Sequence, residues 1–212
     1  MIVKVNTTNY YAKFMSRFIE TIKLENGKFF RASFHRQRVE STFAAFFPGV
    51  QAFDPLEVLS EKDYPKTGLY KCRIEYGETP EIIEFVPYQS REIKSLKLVD
   101  APVESTLFKS ADRTRFNEAF AKRDECDDVL MVRDGFLTDT SYANVALWNG
   151  KEWLTPACPA LFGTQRASLL AEGKITEADI SVHDLPCFSR LRIFNAMVEF
   201  GEIDLPLSAI IF

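Results

Sequence analysis

Three stretches of the sequence contain side chains whose types suit amine and carboxylate chemistry. In "FKSADRTRF", Lys109 follows the apolar pair Leu107–Phe108, and an ammonium group is costly to desolvate beside such a wall. The stretch "DGFLTDTSYAN" places Asp139 among small hydroxylated residues. In "TPACPALFGTQR", Gly163–Gln165 is predicted to open a helix, whose first backbone amides suit a phosphate group.

Each of these features also has an ordinary structural interpretation. A lysine before a helix is usually exposed, an aspartate beside a turn often caps that turn, and glycines commonly end loops. Taken together, an amine, a carboxylate and a phosphate cradle are the groups that pyridoxal phosphate requires. Spacing alone therefore leaves a cofactor-dependent enzyme as one hypothesis beside the structural interpretation.

The N-terminal part is predicted to form a hairpin, a helix and two strands. "RFIETIKLENGKFFRASF" alternates apolar and polar residues around an Asn26-Gly27 turn. A helix is predicted from about His35, with Ser33 as its N-cap, and Pro48 ends it. The strands predicted next are Leu69–Tyr76 and Glu81–Val86.

Residues 86–91 contain a proline and show little periodicity, so we predict a domain linker there. It would join a domain of residues 1–85 to a domain of residues 92–212, which carries Lys109. A helix over Ala111–Ala121 would place Arg113 on the same face as Lys109. A second is predicted from Gly163 to Glu172. The predicted strands are Leu96–Val99, Val129–Val132, Asn144–Trp148, Trp153–Thr155 and Arg190–Phe194. This mixture without regular alternation indicates an α+β fold.

Composition excludes several other classes of protein. The 212 residues carry a net charge of −4 and a pI near 5.4, which argues against binding nucleic acid through bulk charge. No apolar run approaches the ~20 residues that span a bilayer, and Met1–Tyr10 does not read as a signal peptide. Four cysteines without a CxxC pair and two histidines do not predict a metal site. We therefore expect a cytoplasmic protein with no membrane or nucleic-acid partner.

Five stretches, in this order, resemble motifs of the fold-type IV pyridoxal-phosphate enzymes, also called aminotransferase class IV. The first is "IETIKLENGKFFRASFHRQRV", which is similar to the family's "FETI…DG…H..RL" segment. "FKSADR" resembles its Lys-x-x-Asn-Arg motif, and "DGFLTDTSYANV" its "DG.vTE.s.aNi". "TPACPALFGTQRASLL" and "LRIFNAM" resemble its later motifs. The resemblance implies a two-domain fold like that of D-amino-acid aminotransferase, with pyridoxal 5'-phosphate as cofactor.

The resemblance also implies a role for individual residues. Lys109 would form the Schiff base with the cofactor and carry protons, and Asp139 would face the pyridinium nitrogen. Arg38, in "FHRQRV", falls where the family places an arginine on the cofactor phosphate. The other cofactor-binding positions would be Gly163, Thr164, Gln165, Asn195 and Ala196.

The sequence departs from the family pattern at several of these positions. Asp139 stands where the family has the longer glutamate, and Asp112 stands where it has asparagine. Gln165 replaces a threonine of the phosphate loop and Ala196 replaces a hydroxylated residue, so the cradle is expected to depend on main-chain amides. The N-terminus is short, with "FMSR" at Phe14–Arg17 in place of the usual opening strand pair.

Within the family, "ETI" at Glu20–Ile22 is more similar to aminodeoxychorismate lyases, because branched-chain aminotransferases tend to have glycine where Thr21 stands. The resemblance therefore implies a lyase that releases pyruvate and 4-aminobenzoate, with Thr21 assisting catalysis. Two alternatives stay open: a class IV aminotransferase for branched-chain or D-amino acids, and a non-catalytic binding protein on the same fold. For the lyase and for the aminotransferase, we expect a small amine or amino-acid substrate and a homodimer.

Overall fold

The computed structural model describes residues 17–212, which form two compact units. The first unit contains the described residues up to Pro87 together with Phe108–Asp112, and the second contains Tyr88–Leu107 and Arg113–Phe212. Lys109 thus groups with the first unit, whereas the sequence places it in the predicted domain of residues 92–212. The Met1–Tyr10 stretch and the first three residues of "FMSR" lie outside the described residues.

The first unit is an antiparallel sheet with helices. Its elements are β1 (Phe18–Glu25), β2 (Lys28–Phe29), α1 (Ala32–Phe46), α2 (Pro55–Ser60), β3 (Leu69–Tyr76) and β4 (Pro80–Pro87), with the sheet order β2-β1-β3-β4. The predicted hairpin is present: Leu24 pairs with Phe29, and Asn26 and Gly27 both take the positive φ angles of the turn.

Helix α1 begins three residues earlier than predicted. Ala32 is its first residue, so Ser33 lies inside the helix and is not its N-cap. The N-cap is Arg31, whose φ of 55° turns the chain from β2 into the helix. The apolar face of α1 presents Val39 and Phe43 to the sheet, where they join a core that includes Ile22 and Leu24 of β1. This packing fixes α1 against β1.

The second unit is a larger mixed sheet with two helices. Its strands are β5 (Leu96–Asp100), β6 (Asp128–Arg133), β7 (Phe136–Thr140), β8 (Asn144–Trp148), β9 (Trp153–Pro156), β10 (Thr176–Ala178), β11 (Arg190–Phe194), β12 (Ile203–Pro206) and β13 (Ile210–Ile211). The helices are α3 (Thr114–Ala121) and α4 (Thr164–Ala171), and 3-10 turns cover Val182–Cys187 and Leu207–Ala209. The order is β10-β9-β8-β7-β6-β5-β13, with β11 beside β8 and β12 beside β11.

The strand β7 was missed by the sequence analysis, which interpreted its residues as a turn and a hydroxylated cluster. It pairs antiparallel with β6 and with β8, and Asp139 on β7 lies opposite Asn144 on β8. Four of its five residues are buried, including Thr138 and Asp139. Polar residues in a buried strand hide the apolar pattern by which strands are usually found.

The mixture of strands and helices confirms the predicted α+β class. Among residues 17–212, no helix combines the length and the apolar character needed to cross a bilayer.

Candidate active site

The segment that carries Lys109 is extended, and it lies along the start of β1. The Ile19 N–H donates to the Lys109 carbonyl at 2.9 Å, and the Ala111 N–H donates to the Arg17 carbonyl at 2.8 Å. These bonds hold the segment out of a helix, so α3 begins at Thr114 and not at Ala111 as predicted. The predicted helical face shared by Lys109 and Arg113 therefore does not exist.

The lysine side chain contacts a hydroxyl group of β1. Lys109 Nζ donates a hydrogen bond to Thr21 Oγ1 at 3.1 Å. Of the two apolar residues that precede Lys109, only Phe108 packs in the protein, with its ring edge-on to Phe46 at 4.9 Å between centroids. Leu107 is exposed. Lys109 and Thr21 are thus brought together by the extended pairing with β1, a contact across 88 positions of sequence.

Beside Thr21, a buried polar cluster connects β1 to α1. Glu20 lies on the face of β1 that packs on α1, and His35 and Arg38 lie one turn apart on that helix. Arg38 donates from Nε to Glu20 Oε1 at 2.7 Å and from Nη2 to Oε2 at 2.6 Å, and His35 Nδ1 is 2.5 Å from Oε2. The family resemblance implies a contact of Arg38 with the cofactor phosphate, but its partner Glu20 is not evident from the sequence. The sequence feature that could have indicated this pair is an acidic residue, Glu20, at a position of β1 that alternation assigns to the core.

This cluster settles the charge of Glu20. Burial by itself raises the pKa of the Glu20 carboxyl, but the Arg38 charge and the hydrogen bonds from His35 and Arg38 outweigh it and lower the pKa to about 2. Burial lowers the pKa of His35 despite its bond to Glu20. At neutral pH the cluster therefore contains an ionised pair of Glu20 and Arg38 beside a neutral imidazole.

In the second unit, Asp139 is buried and held by two donors. Asn144 Nδ2 donates to Asp139 Oδ1 at 2.8 Å, and the Leu161 N–H donates to Oδ2 at 2.9 Å. Asn144 Nδ2 also donates to the Leu161 carbonyl at 2.8 Å, which closes a ring of hydrogen bonds around the carboxylate. The orientation of Asp139 is thereby fixed by β8 and by the chain that leads into α4.

No residue within 17–212 forms an ion pair with Asp139. Burial raises the pKa of this carboxyl to about 7, although the hydrogen bonds from Leu161 and Asn144 act in the opposite direction. The charge of Arg166 also lowers the pKa of Asp139, but its guanidinium pairs with Glu177 at 2.7 Å. Asp139 is thus an oriented carboxylate that a cation from outside the protein would stabilise.

The start of α4 lies where the sequence predicts a phosphate cradle. Gly163 precedes the helix, and the side chains of Thr164 and Gln165 in its first turn are buried. A methyl group at position 163 would overlap Asn144 Oδ1, so a glycine is needed for the close approach of α4 to β8. Gln165 Oε1 is buried and has no hydrogen-bond partner among the described residues. A polar group in that position is ready to contact a bound molecule.

The side chain of Asn195, a predicted cofactor-binding residue, is hydrogen-bonded within the protein. Asn195 Oδ1 accepts from the N–H groups of Met197 and Val198 at 2.8 and 3.0 Å, and Nδ2 donates to the Tyr142 carbonyl at 3.3 Å. The side chain therefore stabilises the turn after β11. Contacts from Asn195 and Ala196 to a phosphate stay predictions, and they would involve the main chain.

Comparison with known proteins identifies the family. The sequence pattern described as amino-transferase class IV matches residues 82–204, which is more than half of the chain. This chain belongs to the aminotransferase class IV family. The predicted relationship to fold-type IV pyridoxal-phosphate enzymes is therefore confirmed, and so is the predicted fold.

Three similar proteins illustrate the range within this family. A crystal structure from Haemophilus somnus 129PT, named a "putative 4-amino-4-deoxychorismate lyase", has a TM-score of 0.80 and 32% identity, over 86% of this chain and 97% of that one. An uncharacterized protein of Haemophilus influenzae is 33% identical over 84% of this chain and 96% of its own length. A "putative amino-acid aminotransferase" from Mesorhizobium loti has a TM-score of 0.75 and 25% identity, over 92% of this chain and all of that one.

The class IV residues present in each unit fit pyridoxal phosphate. Asp139 is a buried acceptor that forms no ion pair within residues 17–212, which suits a pyridinium N–H. The start of α4, whose first backbone N–H groups have no acceptor within the helix, suits a phosphate ester. Lys109 supplies a primary amine next to a hydroxyl. The fit is weaker for Arg38, whose Nε and Nη2 are bonded to Glu20, so that Nη1 is the nitrogen left for a phosphate.

Proposed function

We propose that this protein is a pyridoxal-phosphate-dependent lyase that converts 4-amino-4-deoxychorismate into pyruvate and 4-aminobenzoate. The observation that carries the proposal is the 3.1 Å hydrogen bond from Lys109 Nζ to Thr21 Oγ1. A hydroxyl next to the amine provides a second proton-carrying group, which elimination needs and transamination does not. The names of the Haemophilus somnus structure and of a Schizosaccharomyces pombe relative, 28% identical over 74% of this chain, support the same reaction.

The protein's own residues divide the work as follows. Lys109 would hold the cofactor through its amine, and its Nζ would take the proton from the amine-bearing ring carbon of the substrate. The C–O bond to the neighbouring enolpyruvyl group breaks, and Thr21 passes a proton toward that departing group. Bound pyridoxal phosphate supplies the sink for the electrons released at the amine-bearing carbon. The products are an aromatic amine and pyruvate, and aromatisation provides the driving force.

Asp139 and the start of α4 would bind and orient the cofactor. A pyridinium N–H⁺ donating to Asp139 would supply the missing positive charge and keep this carboxyl ionised at neutral pH. The first amides of α4 would bind the phosphate, since these groups have no acceptor within the helix. Glu20 would orient Arg38, so that the arginine acts on the phosphate through its remaining nitrogen.

The proposal is tested in two steps on purified protein supplied with pyridoxal phosphate. Borohydride treatment followed by peptide mapping should find the cofactor on Lys109, and a Lys122→Ala control should be labelled equally. Freshly prepared aminodeoxychorismate should then give equal amounts of pyruvate and 4-aminobenzoate without a keto acid, and Lys109→Ala should give neither product.

Two other results would each replace the proposal. If amino acids convert the cofactor to its amine form and no pyruvate appears, the protein is a class IV aminotransferase, as the name of the Mesorhizobium loti structure suggests. If no lysine is labelled, the protein is a binding protein on this fold. The homodimer, the cytoplasmic location and the domain limits at residues 85 and 92 stay predictions.

A further inference from the structure

The second unit contains a pocket of about 390 Å³ that the proposed reaction does not use. Tyr88 and Arg91 line it from the chain that leads to β5, and Tyr142 lines it from the β7–β8 connection. Arg113, which caps the start of α3, lines it together with Asn117 and Phe120 on that helix, and their spacing of four and three residues aligns them. Pockets of this size commonly bind small molecules.

The fixed charge of this pocket is positive. Arg91 pairs with the buried Asp128, with 3.2 Å between Nη2 and Oδ2. Arg113 donates from Nη2 to the Ser141 carbonyl at 2.7 Å and forms no ion pair with any residue from 17 to 212. The Asp128 carboxylate is thus the counter-charge of both the Arg91 and the Arg113 guanidinium groups. Burial lowers the pKa of Arg113, and the Arg91 charge adds to this effect while Asp128 opposes it. An added anion would relieve the cost of this buried charge.

The remaining walls are aromatic or supply hydrogen-bond donors. The Arg91 guanidinium lies 4.2 Å from the centroid of the Tyr142 ring and 5.8 Å from that of Phe120. The Tyr142 hydroxyl is buried without a hydrogen-bond partner in the described part of the chain. Burial raises the pKa of Tyr142 to about 12, so the hydroxyl stays protonated and available as a donor. Asn117 adds an exposed amide at the rim.

We infer that this pocket binds a small aromatic carboxylate, with its carboxylate on Arg113 and its ring against Tyr88, Phe120 and Tyr142. The planar fork of an arginine matches a carboxylate, and the volume exceeds what a bare inorganic anion would fill. None of the residues assigned to the cofactor lines this pocket, and binding there does not depend on the lyase reaction.

The experiment is titration calorimetry on the cofactor-loaded protein, with benzoate as the probe. Benzamide has the same shape without the charge, and inorganic phosphate has charge without the ring. We expect benzoate to bind at least tenfold more tightly than either. Equal binding of benzamide would overturn the role of the arginines, equal binding of phosphate would overturn the aromatic class, and no benzoate binding would overturn the site.

Two variants place the binding in this pocket. Asn117→Asp adds a negative charge at an exposed position of α3 and should weaken benzoate binding at least fivefold. Gln51→Glu, exposed in the first unit, makes the same change in net charge and should have no effect. Arg113→Lys keeps the charge but removes the fork, and it should also weaken binding. If Asn117→Asp and Arg113→Lys both bind benzoate like the parent, the ligand occupies another site and the inference fails.

Discussion

Each of the two units buries a carboxylate, and the surroundings shift the two pKa values in opposite directions. Glu20 in the first unit accepts two hydrogen bonds from Arg38, and its pKa falls to about 2. Within residues 17–212, Asp139 in the second unit accepts only from neutral donors, and burial raises its pKa to about 7. The difference is the presence of an internal cation.

This comparison separates a structural acid from one suited to a ligand. The Glu20 cluster contains its own counter-charge, so it stabilises the packing of β1 on α1 without any bound molecule. Asp139 has fixed hydrogen-bond donors but no ion-pair partner among residues 17–212, because the nearby Arg166 pairs with Glu177. Its ionised form therefore gains most from a positively charged partner. An unpaired buried acid is a stronger indication of a binding site than a paired one.

The largest expected effect comes from breaking the internal pair. Glu20→Gln would leave the Arg38 guanidinium buried without a counter-charge, and the free energy of unfolding should fall by about 3–5 kcal/mol in urea titrations. The matched control is Glu84→Gln, which breaks a half-exposed pair with Arg73 on the same sheet and should cost less than about 1 kcal/mol. Equal losses in the two variants would show that the Glu20 pair is no more important than a surface pair.

Sequence reasoning succeeded where the decisive contacts are local. The Asn26-Gly27 turn and strand β3, Leu69–Tyr76, were predicted at the observed positions because turn chemistry and alternation lie within a few residues. The conformation around Lys109 was wrong because its hydrogen-bond partners, Arg17 and Ile19, lie about 90 positions away. A helix was the local preference, and pairing with β1 overrode it.

The same limit explains the candidate site. Family motifs gave Lys109, Asp139 and the start of α4 as candidates, since each motif is a short stretch of sequence. The partners of these groups could not be found in the same way. Glu20 meets Arg38 only when β1 packs on α1, and Asp139 meets Leu161 only when the chain before α4 returns to β7.

The second prediction tests the role of the unpaired acid. Asp139→Asn should bind the cofactor but lower kcat by about 10²-fold, roughly 2.7 kcal/mol, because the charge that stabilises the pyridinium is lost. Absorption of the bound cofactor and the initial rate of pyruvate release are the two measurements. Asp134→Asn makes the same change in the exposed β6–β7 turn and should keep the parental rate. Parental activity in Asp139→Asn would return Asp139 to a purely structural role.

The third prediction concerns pH and the protein without cofactor. The folded-state pKa of Asp139 lies above its ordinary value of 3.8, so the folded state binds the extra proton and its stability decreases as pH rises toward and through about 7. Between pH 6 and pH 8 this carboxyl should cost about 1.4 kcal/mol of unfolding free energy.

The difference between variants isolates this contribution. Asp139→Asn should lack that part of the decrease, whereas Asp134→Asn should retain it. For Glu20 the sign is opposite: its folded-state pKa lies below the ordinary value of 4.5, so its contribution is lost only as pH falls from about 4.5 through about 2. A parallel pH dependence in Asp139→Asn and the parent protein would contradict the contrast between the two acids.

The smallest expected effect tests whether the Thr21 hydroxyl of the first unit takes part in the reaction. Thr21→Val removes the hydroxyl that accepts from Lys109 Nζ and preserves the β-branched shape that suits β1. The rate of pyruvate release should fall about fivefold, roughly 1 kcal/mol, because one hydrogen bond and one proton carrier are lost while water can partly replace them. Thr21→Ser keeps the hydroxyl and should stay within twofold of the parent.

Labelling of Lys109 by borohydride should be unchanged in both variants, since the hydroxyl does not hold the cofactor. If Thr21→Val slows amination of the cofactor by amino acids as much as it slows pyruvate release, the hydroxyl only orients Lys109, and the argument from Thr21 for a lyase is lost.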